Sequence, residues 1–99
     1  MKTYFENVPV IRYEGPDSSN PLAFKFYDPE ERVGDKSMRE HLRFAMSYWH
    51  TLCGSGADMF GDGTAIRPYA QDPMERARDK VNAAFELMDK LGIEYFCFH

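Results

Sequence analysis

Three histidines, one tryptophan and a glycine-rich run carry whatever chemistry this sequence holds. His41, His50 and His99 share no HxxxH spacing, so a zinc site inside the chain is weakly supported. His41 falls in a polar turn and reads as solvated. His50 follows Trp49 at an expected strand end, where packing and function are equally open. His99 closes an apolar run, Ile93-Glu94-Tyr95-Phe96-Cys97-Phe98. A histidine at the carboxyl end of a parallel strand sits where ligands bind in open α/β sheets and in (β/α)₈ barrels. An imidazole titrates near neutrality and suits proton transfer. With no partner residue in view, His99 also reads as a plain chain-end residue. Trp49 holds the matching position on the earlier strand. Its ring suits an apolar wall for the C–H face of a sugar, or simply a core position.

Other chemistries find less support. The stretch Gly54-Ser55-Gly56-Ala57-Asp58-Met59-Phe60-Gly61-Asp62-Gly63-Thr64 lacks the GxxxxGK[ST] and GxGxxG patterns, which excludes a phosphate cradle. Asp58 and Asp62 do not follow EF-hand spacing. Cys53 and Cys97 form no CxxC pair, so a zinc ribbon or thioredoxin-type motif is not indicated. Both read as buried thiols in a reducing cytoplasm.

The elements that must position these residues follow from pattern. Residues 1 to about 36 are punctuated by Pro9, Gly15, Pro16, Pro21 and Pro29, with Tyr4-Phe5, Val8–Ile11 and Leu22–Phe24 as apolar patches. They read as an extended arm that packs on something larger, or equally as an ordered loop on its own domain. Ser37-Met38-Arg39-Glu40 fits a capping box and predicts a short helical turn. Leu42–Trp49 alternates and predicts a strand, with helix an alternative for its first half. Residues 53–68 form a loop holding four of the seven glycines, which suggests unusual backbone angles or close approach of another surface. Asp72, Pro73 and Glu75 give an N-cap, a first helical residue and the end of a capping box. Ala77, Val81, Ala84, Phe85, Met88 and Leu91 then mark the apolar face of a helix. Arg76, Arg78, Asp79, Asn82, Glu86 and Lys90 fall mainly on its wet side. Gly92 ends the helix, and Ile93–His99 predicts a second strand, apolar on both faces as in a buried parallel sheet. The order strand, loop, helix, strand is one βαβ unit, with a right-handed crossover expected.

Several segments together resemble the xylose isomerase family, in its longer type with an N-terminal extension. They are Tyr13-Glu14-Gly15, Ser18–Phe24, Glu40–Ala45, Tyr48–Thr51, Gly56–Gly61 and Tyr95–His99. The matches run in order over essentially the whole chain. The resemblance implies an α/β fold: an extension over residues 1–39, then the first βαβ unit of a (β/α)₈ TIM barrel over 40–99, incomplete as a chain. It implies an aldose–ketose isomerase acting on D-xylose, and often D-glucose, by ring opening and a hydride shift. Two divalent metals, Mg²⁺, Mn²⁺ or Co²⁺, serve that family. His99 matches its catalytic histidine, Trp49 its substrate wall, and Phe60 the aromatic that reaches into a neighbouring subunit's pocket. The rest of the barrel and a homotetramer are the implied partners. The family's metal-binding residues, and the Asp that holds its histidine, have no counterpart in these residues. The expectation is therefore an N-terminal portion, inactive alone. A non-catalytic module that completes its sheet with itself or a partner is the alternative.

Size and charge agree. Ninety-nine residues allow one small domain, not a whole barrel of roughly 200 residues or more. A net charge of −4 and a pI near 5.3 argue against nucleic acid. A mean hydropathy of −0.56 argues against a membrane span, and the absence of an apolar leader predicts a cytoplasmic chain.

Overall fold

The computed structural model describes residues 2–98, and every structural statement concerns these. The element order is β1 (Arg32–Val33), β2 (Lys36–Ser37), α1 (Met38–His41), β3 (Ala45–Ser47), α2 (Tyr48–Leu52), α3 (Pro73–Leu91) and β4 (Tyr95–Cys97). The architecture is a small α/β arrangement with no closed barrel. β3 and β4 pair in parallel, Ala45 opposite Tyr95, Met46 opposite Phe96 and Ser47 opposite Cys97. A parallel pair needs a long crossover, and α3 lies within it.

The long helix forms where local signals place it. The Asp72 carboxylate accepts from the Glu75 N–H at 3.0 Å, and Pro73 takes the first turn, where a missing N–H costs nothing. Gly92 adopts φ +71°, a conformation costly for a residue with a Cβ. That geometry lets the Gly92 N–H reach the Asp89 carbonyl at 3.3 Å and the Ile93 N–H reach Met88 at 2.9 Å. The α1 turn also forms, with Glu40 accepting from the Ser37 N–H and hydroxyl, both at 3.0 Å. Glu40 is held below its usual pKa by that Ser37 N–H first, and then by the hydroxyl.

Two expectations are corrected. The strand read over Leu42–Trp49 covers only Ala45–Ser47, and the chain then turns into α2. Helical i, i+4 spacing brings Tyr48 and Leu52 to one side. Leu52 is buried there, and Tyr48 packs against the core. Alternating residue types cannot report this, because the reward comes from α3. The helix face is also shifted. Ala84 and Met88 are buried and Leu91 is half-buried, but Ala77, Val81 and Phe85 are exposed. Ala83, absent from the expected face, has no exposure at all.

The core comprises Met46, Leu52, Tyr69, Ala83, Ala84 and Met88, with Tyr4, Phe5, Tyr48, Leu87 and Ile93 packed around it. Tyr4 and Phe5 explain the shift, since the N-terminal segment covers the flank of α3 that patterning leaves wet. The Glu86 carboxylate accepts from the N–H groups of Tyr4 (2.9 Å) and Phe5 (2.6 Å). Lys90 donates to the Phe5 carbonyl, and the Ile11 N–H reaches the Lys90 carbonyl at 2.7 Å. Asp79 accepts from the Tyr4 hydroxyl, so Asp79, Glu86 and Lys90, read as mainly on the wet side, are anchors.

The sheet remains thinly covered. Phe96 meets Phe85 edge-on at 6.2 Å, and Phe98 meets Tyr48 at 5.9 Å, so one sheet face leans on α2 and α3. Ala45, Tyr95 and Cys97 have the opposite parity and are exposed. The expectation of a β4 buried on both faces is thus corrected, since the second covering layer is not among the described residues.

Candidate functional site

The carboxyl ends of β3 and β4 lie side by side. Beyond the last ladder pair, the Trp49 N–H donates to the Phe98 carbonyl at 3.0 Å. Trp49 is the second residue of α2 rather than the end of a strand, and the Cys53 N–H closes that turn on its carbonyl at 3.0 Å. The indole is 60% exposed, so Trp49 is a surface residue of this chain and not a core one. An exposed indole offers a broad apolar face and one N–H donor. His99, the residue after Phe98, lies outside the described residues.

Phe60 sits elsewhere, at the tip of the glycine-rich loop. Asp58 and Gly61 bridge to each other, and the Asp58 carboxylate accepts from the Phe60 N–H at 2.8 Å. This tight turn thrusts Met59 and Phe60 outward, each 88% exposed. Two glycines make the loop possible. Gly56 has φ +78°, and Gly63 passes so close to the Ser55 carbonyl that no Cβ would fit there. The Ala65 N–H donates to Ser55 at 2.9 Å and draws the two limbs together.

The loop roots are tied to the core. The Tyr69 hydroxyl donates to the Leu52 carbonyl at 3.2 Å, spanning the loop from one root to the other. Burial holds the Tyr69 hydroxyl protonated to higher pH than a free phenol, and does the same for Tyr48, where Cys53 adds to the effect. Patterning missed Tyr69, Asp79 and Glu86. Tyr69 is marked only as an aromatic where a loop approaches a helix, and Asp79 and Glu86, inside α3, carry no sequence signal beyond their charge.

The remaining candidates are not assembled with Trp49. His41 is exposed, and its Nε2 lies 2.8 Å from the Val33 carbonyl, which links α1 to the β1–β2 hairpin. His50 is exposed on α2. Cys53 is half-buried and Cys97 exposed, which corrects the expectation of two buried thiols. Among the described residues no group of three or more His, Cys, Asp or Glu side chains is placed to hold a metal ion. The divalent metals implied by the resemblance therefore find no ligand set there. No helix among the described residues is long and apolar enough to cross a membrane.

No family model matches the chain. Individual relatives do. The chain is 59% identical over 97 residues to a xylose isomerase of Bacillus sp. (strain LW2), covering 97% of this chain and 22% of that protein. It is 57% identical over 99 residues to one of Burkholderia vietnamiensis (strain G4 / LMG 22486), covering 98% and 22%. It is 54% identical over 101 residues to one of Thermoanaerobacterium saccharolyticum, covering 100% and 23%. The chain thus spans about a fifth of the length of the curated relatives it matches. At this identity over nearly all its residues, the chain is a homologue of the xylose isomerases, matched to one portion of them.

Proposed function

We propose that this chain supplies part of an aldose–ketose isomerase that interconverts D-xylose and D-xylulose. The observation that supports this most is 59% identity over 97 residues to a xylose isomerase. Residues 1–39 serve as the extension. Residues 40–99 serve as the first strand, loop, helix and second strand of a (β/α)₈ barrel, and the assembled enzyme is a cytoplasmic homotetramer. The parallel β3–α3–β4 unit, with its strand ends aligned, agrees with that use.

In the reaction the cyclic sugar first opens. A hydride then moves from C2 to C1, while the C2 hydroxyl loses a proton and the C1 oxygen gains one. The imidazole of His99 handles the proton of the opening step. Trp49, exposed at the strand ends, provides an apolar wall that orients the sugar and excludes water. Phe60, held outward on its turn, enters a neighbouring subunit's pocket. The residues that hold the divalent metals come from outside these 99 positions, so the 99-residue polypeptide alone is inactive.

Turnover of xylose with Mg²⁺, Mn²⁺ or Co²⁺ tests this. We expect none from the purified polypeptide. We expect turnover once a polypeptide carrying the remaining strands of a xylose isomerase is added, and its loss with His99→Ala. Metal-dependent turnover by the 99 residues alone, or a complemented enzyme indifferent to His99→Ala, would overturn the assignment.

A second reading, a non-catalytic module that completes its sheet with a second copy, is favoured by one observation. Tyr95, Phe96 and Phe98 are all exposed on a two-stranded sheet. A discrete homo-oligomer by solution mass, unable to complement the barrel, would select it.

A further inference from the structure

One carboxylate joins three segments that are distant in sequence. Asp79, on the first half of α3, accepts from the Tyr4 hydroxyl through Oδ1. Its Oδ2 accepts from the Ala70 N–H at 2.6 Å and from Lys2 Nζ at 3.4 Å. Lys2 also donates to the Pro68 carbonyl, so the N-terminal strap and α3 grip the same stretch, Pro68 to Ala70. Between these two lies Tyr69, whose ring stands 6.4 Å from Tyr4 and 5.3 Å from the Arg76 guanidinium, and whose hydroxyl reaches Leu52. Leu52 is the last residue of α2, and the glycine-rich loop runs from there to Pro68. A continuous set of contacts therefore connects the strap to both roots of the loop that carries Phe60, and to the short helix that carries Trp49.

We propose that Asp79 is a positioning residue and that the strap, Lys2 to Phe5, is a clamp that sets the loop and α2 through it. The carboxylate has no substitute here. An acceptor with two oxygens is needed to receive the phenol on one side and a loop amide on the other. Both bonds are made to a charged acceptor, the stronger class of hydrogen bond. Without it the Ala70 N–H loses its partner, and the Tyr4 ring, which flanks Tyr69, loses the bond that holds its hydroxyl end. The loop has few holds of its own besides the Ser55–Ala65 bond and the Asp58–Gly61 turn, so its roots govern where Phe60 points. The clamp rests on contacts within this chain and not on sugar chemistry, so it and the isomerase reading can fail separately.

Amide hydrogen exchange on the full chain tests it. Asp79→Ala is expected to raise exchange at least tenfold at 66–70 and across 54–65, with the centre of α3 at 83–88 unchanged. Asp79→Asn keeps one oxygen for the Ala70 N–H but loses the second acceptor, and is expected to restore only part of the protection at 66–70. Tyr4→Phe removes one bond and is expected to loosen the same residues by a smaller factor. A rise confined to residues 2–5, or a uniform rise through α3, would overturn the proposal. Should Asp79→Ala fail to fold, Tyr4→Phe decides: loosening at 66–70 supports the clamp, and none there overturns it.

Discussion

The strapped helix and the glycine-rich loop are neighbours held by opposite means. α3 closes on signals within its own sequence, Asp72 and Pro73 at one end and Gly92 at the other. The loop 53–68 has exposed apolar side chains at its tip, Met59 and Phe60, and takes its placement from Asp79 and Leu52 at its roots. A helix that satisfies its own backbone tolerates change beside it. A loop placed by remote contacts inherits every change made in them.

The largest effect should come from the core the two regions share. Met88→Ala leaves a cavity beside Ala84 and is expected to cost about 2–5 kcal/mol, read as a lower urea midpoint. In a core this small that approaches global unfolding. A cost under about 1 kcal/mol would show that the loop and strap, not α3, hold the chain together.

Next comes acid. The Tyr4 hydroxyl, then the Ala70 N–H, hold Asp79 below its ordinary pKa, and the Tyr4 N–H does the same foremost for Glu86. Both carboxyls are thus depressed in the folded state. Their contribution is present above the usual carboxylate range and is lost as pH falls through the folded values. Tyr4 is pushed up to about 12, chiefly by its bond to Asp79. Its contribution is present below about pH 10 and is lost as pH rises through about 12. NMR shifts of the Tyr4, Phe5 and Ala70 amides should therefore all move as pH falls below the ordinary carboxylate range, while those of Ala83 and Ala84 stay put. Independent titrations would separate strap from loop.

Helix ends follow. Gly92→Ala forces a Cβ into left-handed backbone and is expected to cost about 1–2 kcal/mol. Asp72→Ala removes the N-cap and is expected to cost about 1 kcal/mol. Both should lower the urea midpoint without altering exchange at 54–65. Altered loop exchange would show that the regions are not separable. The smallest effect belongs to Phe60→Ser, expected to stay within about 0.5 kcal/mol of the parent because the ring touches solvent. A larger loss on dilution would reveal a self-association that covers Phe60.

What patterning read well is what local chemistry specifies. Residues Pro73–Leu91 form the expected helix to the residue, and the pairing of two strands around it follows from their order. The candidate site was legible only in part. Trp49 sits beside the end of β4 as its position suggested, but on a helix, because Tyr48 and Leu52 need one common side against α3. Phe60 stands out from its turn through the Asp58 carboxylate, a contact that the reading of residues 53–68 as one loop did not resolve.

By itself the sequence determined the capped helix, the glycine-rich loop over 53–68 and the kinship with xylose isomerases, because caps, loop composition and identities are written in adjacent residues. Only the tertiary structure decided that Asp79, Glu86 and Lys90 anchor a strap instead of facing water, and that β3 ends in α2. A charged residue on a helix flank looks the same in sequence whether it meets water or a returning chain. The difference is made by Tyr4 and Phe5, more than seventy positions away, whose apolar rings bring their own N–H groups to Glu86.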